Sequence, residues 1–198
     1  MKVRSKYLCG SIALIAIILF FTGCTHVLNI TEIPTLQTGS PLRGVGSKTF
    51  AFKEFKDIRN VEDPVLMMVA GVHKHILDQP PATLVAMWLK KELERNGHIC
   101  VMDSPQMKAD FVIEGTVYKF LVSHRTGMFE TMQHSSTGVK LTISRISANS
   151  VSFVKSYEGE YSTSGLTAAR WKIALSQALL SMIKEISTDP ELIEFIKK

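Results

Sequence analysis

A charge-free stretch from residue 7 to residue 25 constrains the fold most, because it sets the N-terminus apart from the rest of the chain. Three basic residues precede it, and its apolar part, residues 8–21, is 14 residues long. A membrane-spanning helix needs about 20 apolar residues. A secretory signal has a basic start and an apolar region of roughly 7–15 residues. The pattern predicts a signal peptide over residues 1–23, with an uncleaved anchor helix or cleavage without lipid attachment as open alternatives.

The end of this stretch, Phe21-Thr22-Gly23-Cys24, resembles the lipobox of bacterial lipoproteins. The resemblance implies cleavage between Gly23 and Cys24 and attachment of fatty acyl chains, such as palmitate, to Cys24. One acyl chain gives only reversible membrane binding, whereas several hold a protein permanently. Thr25 rather than an aspartate follows the cysteine, so the enteric sorting pattern implies the periplasmic face of the outer membrane. Retention at the inner membrane is the alternative.

Composition excludes several classes of function once the signal is set aside. The formal net charge falls from +5 to +2, because Lys2, Arg4 and Lys6 belong to the signal. We therefore expect no nucleic-acid partner, since no basic cluster with interleaved aromatic residues is present. Of the three cysteines only Cys100 remains unassigned, so no internal disulfide can form, and we expect a small buried apolar residue there.

The mature chain divides into two parts. Residues 24–48 are rich in proline, glycine, serine and threonine, and we interpret them as the lipidated cysteine and a flexible tether. Residues 49–198 have the length of one domain with its own core.

Apolar periodicity predicts the elements of that domain. Alternating residues predict strands over 48–55, 98–102, 109–122, 138–147 and 151–161. Apolar residues spaced three and four positions apart predict helices over 82–96 and 167–186. Helix-start residues predict a short third helix that begins at Asp189. The expected fold is α+β, a mostly antiparallel sheet of four to five strands with two main helices on one face and a short C-terminal helix.

Two segments are ambiguous. Residues 60–81 predict either a second short strand or an irregular segment packed on the domain. Residues 123–137 predict a long loop, in which Met128, Phe129 and Met132 form a candidate partner-contact site. The alternative is a longer hairpin in which these residues simply extend the strands.

The chain contains few candidates for catalysis. His73 and His75 would share one face of a strand and could both reach a metal, although further ligands are not evident. No nucleophile elbow, phosphate-binding loop or dinucleotide fingerprint occurs. We therefore expect no enzyme activity, no cofactor and no metal site.

Several short motifs follow one another along the domain, among them Phe55-x-Asp57-x-Arg59, the strand motif 109–115 with Gly115 as its last residue, and the final Asp189-Pro190 helix start. In this order they resemble the YajG-like family of small Gram-negative lipoproteins. Similar layouts belong to LptE and to auxiliary lipoproteins of ABC-type transporters. The resemblance implies a binding or accessory role in envelope assembly or lipid transport, through a membrane-protein complex or a lipid. A structural component of a surface or motility complex, and a metal-dependent hydrolase using His73 and His75, are the alternatives.

Overall fold

The computed structural model describes residues 25–30, 40–70, 73–102, 108–126, 131–146, 151–165 and 167–198, and these contain nine strands and three α-helices. The strands are β1 (Thr25–Leu28), β2 (Thr49–Phe52), β3 (Lys56–Asp57), β4 (Leu66–Ala70), β5 (His73–Leu77), β6 (Ile99–Met102), β7 (Phe111–Thr126), β8 (Thr131–Arg145) and β9 (Ser152–Ser164). The helices are α1 (Pro81–Arg95), α2 (Ala168–Thr188) and α3 (Pro190–Lys197), and a short 3-10 helix covers Pro41–Val45.

The larger sheet has six strands, in the order β6-β2-β7-β8-β9, with the short β3 also paired to β7. β2 runs parallel to both β6 and β7, whereas β7, β8 and β9 form an antiparallel meander. The α+β class is confirmed, but the predicted sheet of four to five mostly antiparallel strands is wrong. The reason is that α1 carries the chain back so that β6 lies parallel to β2, and β2 then inserts beside β7.

A second, three-stranded sheet has the order β1-β5-β4, and we call it the small sheet. β1 is parallel to β5, and β4 and β5 form an antiparallel pair. The ambiguous segment 60–81 therefore provides β4 and β5 of a separate sheet. The third strand, β1, comes from the start of the described chain and pairs with β5.

The predicted flexible tether over residues 24–48 needs correction for the residues that the structure describes. Leu28, Ile30 and Leu42 are fully buried in the core. The indole Nε1 of Trp88 donates a hydrogen bond of 3.0 Å to the Ile30 carbonyl, and the Ser40 hydroxyl donates one of 3.2 Å to the Ser187 carbonyl. The prediction relied on proline and glycine, which indicate irregular backbone. The apolar side chains of this segment nevertheless pack against the domain and hold the irregular backbone there.

The helices cover one face of the larger sheet. The predicted apolar stripe of α2 is confirmed, since its members are all buried: Trp171, Ala174, Leu175, Ala178, Met182 and Ile186. α3 begins at Asp189, whose carboxylate accepts a hydrogen bond from the Glu191 amide at 2.9 Å, as the helix-start pattern predicted. None of the helices within the described ranges combines the length and apolar character needed to cross a bilayer.

The predicted long loop over residues 123–137 is wrong in extent. β7 continues to Thr126 and β8 begins at Thr131, with Arg125 paired to Met132 across the hairpin. The structure therefore shows the longer hairpin that the sequence left as the alternative. The segment 123–137 is rich in polar residues, which can extend a strand pair. A strand that is polar on both faces lacks the apolar alternation from which strands are predicted, so the sequence did not indicate this extension.

Candidate functional site

An open apolar groove of about 520 Å³ lies between α1 and the chain that follows β2. Its apolar lining residues are Phe52, Phe55, Pro64, Pro80, Ala82, Ala86, Met87 and Met102. A volume of this size is typical of ligand sites, which are mostly apolar with a few polar groups at their edge. We take this groove as the candidate binding site.

The floor of the groove depends on two stacked phenylalanine rings. Phe52 ends β2 and Phe55 follows it, with ring centroids 6.1 Å apart and planes 18° from parallel. The Phe55 ring lies directly on β7, because a Cβ atom at Gly115 would be only 2.2 Å from Phe55 Cε2. Gly115, in the predicted strand 109–122, therefore makes room for the aromatic floor.

The wall on the helix side consists of small and flexible residues. Ala82 and Ala86 lie one turn apart on α1, and Met87 lies beside them. The opposite face of α1 packs into the core through Leu84, Trp88 and other large apolar side chains. Because alanine leaves space and methionine adapts its shape, this wall suits an apolar guest of variable outline.

A buried ion pair supports the edge of the groove at Asp57 and Pro64. Arg59 donates to both carboxylate oxygens of Asp57, at 2.7 Å from Nη2 and 2.9 Å from Nε. It also donates to the carbonyls of Phe120 and Pro64, both at 2.8 Å. Burial alone would raise the pKa of Asp57, but the hydrogen bonds and charge of Arg59 outweigh it and lower that pKa below its usual value. The Asp57 carboxylate therefore stays ionised at neutral pH, and its bonds to Arg59 join the two sides of the groove edge.

Charged side chains surround the mouth of the groove. Lys53, Glu54 and Lys90 line it, and Lys53 bonds Glu114 at 2.6 Å. A second hollow of about 530 Å³ adjoins the groove and shares Phe52, Lys53, Glu54 and Met102 with it. The mouth thus places ammonium and carboxylate groups beside an apolar interior.

The site residues predicted from sequence lie apart from this groove or outside the described residues. Gly23 and Cys24 lie outside the described residues, and so do Met128 and Phe129. Met132 is a partly exposed residue of β8, paired with Ser164 of β9. The lipid anchor at Cys24, the cleavage site between Gly23 and Cys24, and the contact function of the other three residues all stay predictions.

The two candidate metal ligands lie on one strand, as predicted. His73 and His75 are both in β5, and the register places His26 of β1 opposite His75. Among the side chains that the structure describes, no group of three histidine, cysteine or acidic residues could hold a metal ion. Cys100 is partly buried, and burial, the largest effect, raises the pKa of its thiol to about 12. A thiol with this pKa is protonated at neutral pH and is no nucleophile.

A family model described as an uncharacterized lipoprotein, Lipoprotein_16, matches residues 57–197. The chain belongs to this lipoprotein family. Membership indicates a membrane-anchored location and agrees with the lipobox-like motif at Cys24. No curated protein matches the lipoprotein.

Solved structures are similar to the lipoprotein at low sequence identity. Protein XCC0632 from Xanthomonas campestris is 12% identical with a TM-score of 0.60, and the match covers 86% of this chain and 97% of that one. A minor lipoprotein from Acinetobacter baumannii is 11% identical with a TM-score of 0.37, covering 71% of this chain and 90% of that one. Lipoprotein GNA1162 from Neisseria meningitidis is 12% identical with a TM-score of 0.27, covering 65% and 93%. The first of these shows a common fold.

Sequence patterns did not identify the groove. Its lining residues come from four separate segments, and each segment by itself has an ordinary sequence pattern. One signal was present: Phe55, Asp57 and Arg59 stood out as a motif, and the structure assigns them to the floor and the edge of the groove.

Proposed function

We propose that the lipoprotein is a membrane-anchored binding module of the cell envelope, of the YajG-like type, which works without catalysis. Acyl chains on Cys24 hold it at the periplasmic face of the outer membrane. Its groove accepts an acyl chain of an envelope lipid, in support of envelope assembly or lipid transport. The apolar groove beside α1 is the observation that carries this proposal.

The chemistry of the groove favours a lipid over a polar ligand. Its interior offers aromatic rings, alanine methyl groups and methionine side chains, which bind by removing apolar surface from water. Lys90 at the mouth is partly exposed, and its ammonium group is 3.9 Å from Glu94, which leaves it able to approach an anionic head group. An acyl chain in the groove with its head at the mouth satisfies both parts of the site.

Filling the groove tests the proposal. The full-length acylated lipoprotein is purified, its bound lipids are identified by mass spectrometry, and its affinity for a fluorescent fatty acid is measured. We expect Ala86→Trp to fill the groove and to weaken binding at least tenfold, which corresponds to about 1.4 kcal/mol. Lys91→Trp, on the exposed side of the same helix, is the matched control and should bind like the wild type.

Other outcomes separate the alternatives. Unchanged binding in a folded Ala86→Trp protein would reject the groove as the lipid site. Stoichiometric metal in the same purified sample would favour the hydrolase alternative through His73 and His75. Co-purification of surface-appendage or motility proteins without lipid would favour the structural alternative.

A further inference from the structure

The chain enters the small sheet directly after the proposed lipid attachment site. Cys24 is followed at once by Thr25, which is the first residue of β1 and pairs with Lys74 of β5. Adjacent Cα atoms are about 3.8 Å apart, so the acylated residue lies one residue from a hydrogen-bonded strand. No flexible spacer separates the anchor from the sheet.

β1 is itself fastened to the core. Leu28 and Ile30 are buried, and the Asp78 amide donates a hydrogen bond of 3.3 Å to the Leu28 carbonyl. The Trp88 indole donates a hydrogen bond to the Ile30 carbonyl, and α2 contacts β1. Only a few residues therefore separate Cys24 from the folded core.

The register shows which positions lie at the same end of the small sheet as Thr25. Lys74 is its partner on β5, and β4 pairs with β5 so that Ala70 lies opposite His73. Only Gly71 and Val72 join β4 to β5 in the sequence. This end therefore combines the short apolar sequence Val69-Ala70 with a lysine and a histidine. Apolar residues next to basic ones are the composition that favours a bilayer interface with anionic lipids.

We infer that this end of the small sheet, defined by Thr25, Ala70, His73 and Lys74, rests on the phospholipid bilayer and holds the domain in one orientation. The inference depends on the proposed lipid attachment at Cys24. Its acyl chains must lie in the hydrocarbon, so Thr25 is held at the head-group level, and its neighbours on β4 and β5 are held there with it.

The orientation also fixes the height of the groove. Pro64 precedes β4 by two residues and Pro80 follows β5 by three, and both line the groove. The groove therefore lies at the opposite end of the small sheet from Thr25. Five residues of strand span roughly 15 Å at about 3.3 Å per residue. The small sheet then acts as a spacer of defined length between the bilayer and the binding site.

Lipid contact at a labelled position tests the inference. The full-length acylated lipoprotein, with Cys100→Ala, carries an environment-sensitive fluorophore at Lys74→Cys, or at Lys197→Cys as the control. Lys197 is exposed in α3, which packs on the 3-10 helix and α2. In vesicles of phosphatidylethanolamine and phosphatidylglycerol that contain brominated lipid, we expect at least threefold stronger quenching at position 74 than at position 197.

A spacer variant provides the second arm. Insertion of about 12 glycine and serine residues between Cys24 and Thr25 should keep the protein on the vesicles and reduce quenching at position 74 to the level at position 197. Equal quenching at the two positions without the insertion, or quenching at 74 that the insertion does not change, would overturn the inference. The proposed anchor is tested separately, because Cys24→Ala should release the protein. Retention of Cys24→Ala on vesicles would reject the anchor and the inference together. Release of Cys24→Ala, combined with equal quenching at positions 74 and 197 of the acylated protein, would reject the inference alone.

Discussion

Arg59 connects two strands of the larger sheet with the segment that enters the small sheet. Its guanidinium group bonds Asp57 of β3, the Phe120 carbonyl of β7 and the Pro64 carbonyl just before β4. The group also lies 5.8 Å from the centre of the Phe120 ring. Only the planar fork of an arginine can donate in all these directions at once. The side chain is 7% exposed, so each of its donors must be satisfied within the protein.

We predict that Arg59→Lys lowers the free energy of unfolding by about 2–3 kcal/mol, because lysine keeps the charge but loses the bidentate geometry. Urea denaturation at pH 7 measures the change. Arg43→Lys is the matched control, because the hydrogen bond from the Arg43 side chain to the Arg95 carbonyl is exposed, and it should change stability by less than about 0.5 kcal/mol. A loss in Arg59→Lys no larger than in the control would show that the fork is dispensable.

At the scale of elements, α2 lies very close to the sheet at Gly159 of β9. A Cβ atom at this position would lie 2.0 Å from the Ala178 carbonyl oxygen and 2.6 Å from the Met182 amide nitrogen. Thr137 of β8 donates a hydrogen bond to the same Ala178 carbonyl at 3.3 Å. The helix backbone therefore rests on the sheet backbone, and no side chain fits between them.

We predict that Gly159→Ala destabilises the protein by about 3 kcal/mol or more, because backbone atoms of α2 cannot move aside as a flexible side chain would. Thermal denaturation followed by circular dichroism measures the loss. Gly44→Ala is the matched control, because a Cβ at Gly44 meets nothing within 4 Å. Equal melting temperatures for the two variants would contradict the close packing of α2 on β9.

Another contact between elements joins α3 to the sheet. Asp189 accepts a hydrogen bond of 2.5 Å from the buried Tyr157 hydroxyl and bonds Lys155 at 3.1 Å. Burial would raise the pKa of Asp189, but these hydrogen bonds and the one from the Glu191 amide outweigh it and hold that pKa below the usual 3.8. The same carboxylate begins the helix and attaches it to β9.

At the scale of the whole molecule, acid should weaken the fold. Asp57 and Asp189 both have a lowered pKa in the folded protein. A carboxyl group with a lowered pKa stabilises the fold above its unfolded pKa, near 3.8, and this stabilisation is lost as the pH falls through the lower folded value. Glu92 acts in the opposite direction, since its burial, the largest effect, raises its pKa.

We predict that the free energy of unfolding falls between pH 5 and pH 2 and that Asp189→Asn makes this fall shallower. Asparagine can still accept at the start of α3, but it has no proton to gain. Urea denaturation at a series of pH values measures the slope. An unchanged slope in Asp189→Asn would mean that this carboxylate does not contribute to the acid sensitivity.

The sequence by itself determined the local elements of this protein. α1, α2 and the start of α3 at Asp189 followed from apolar spacing and helix-start residues, because a helix satisfies its backbone within its own segment. Strands at the positions of β7 and β8 were expected over 109–122 and 138–147, because alternation along one strand is also a local property, but their extension through most of 123–137 was not. The lipobox-like motif at Cys24 is likewise a short contiguous pattern.

The tertiary structure alone decided which distant segments meet. β2 lies between two parallel neighbours, β1 joins a sheet with residues about 50 positions away, and Arg59 finds an acceptor at Phe120. Neither strand partners nor a groove assembled from separate segments leave a periodic signal, because they depend on burial shared between remote parts of the chain. The predicted tether changed for this reason: Leu28, Ile30 and Leu42 appear isolated in the sequence, and only the folded core shows what buries them.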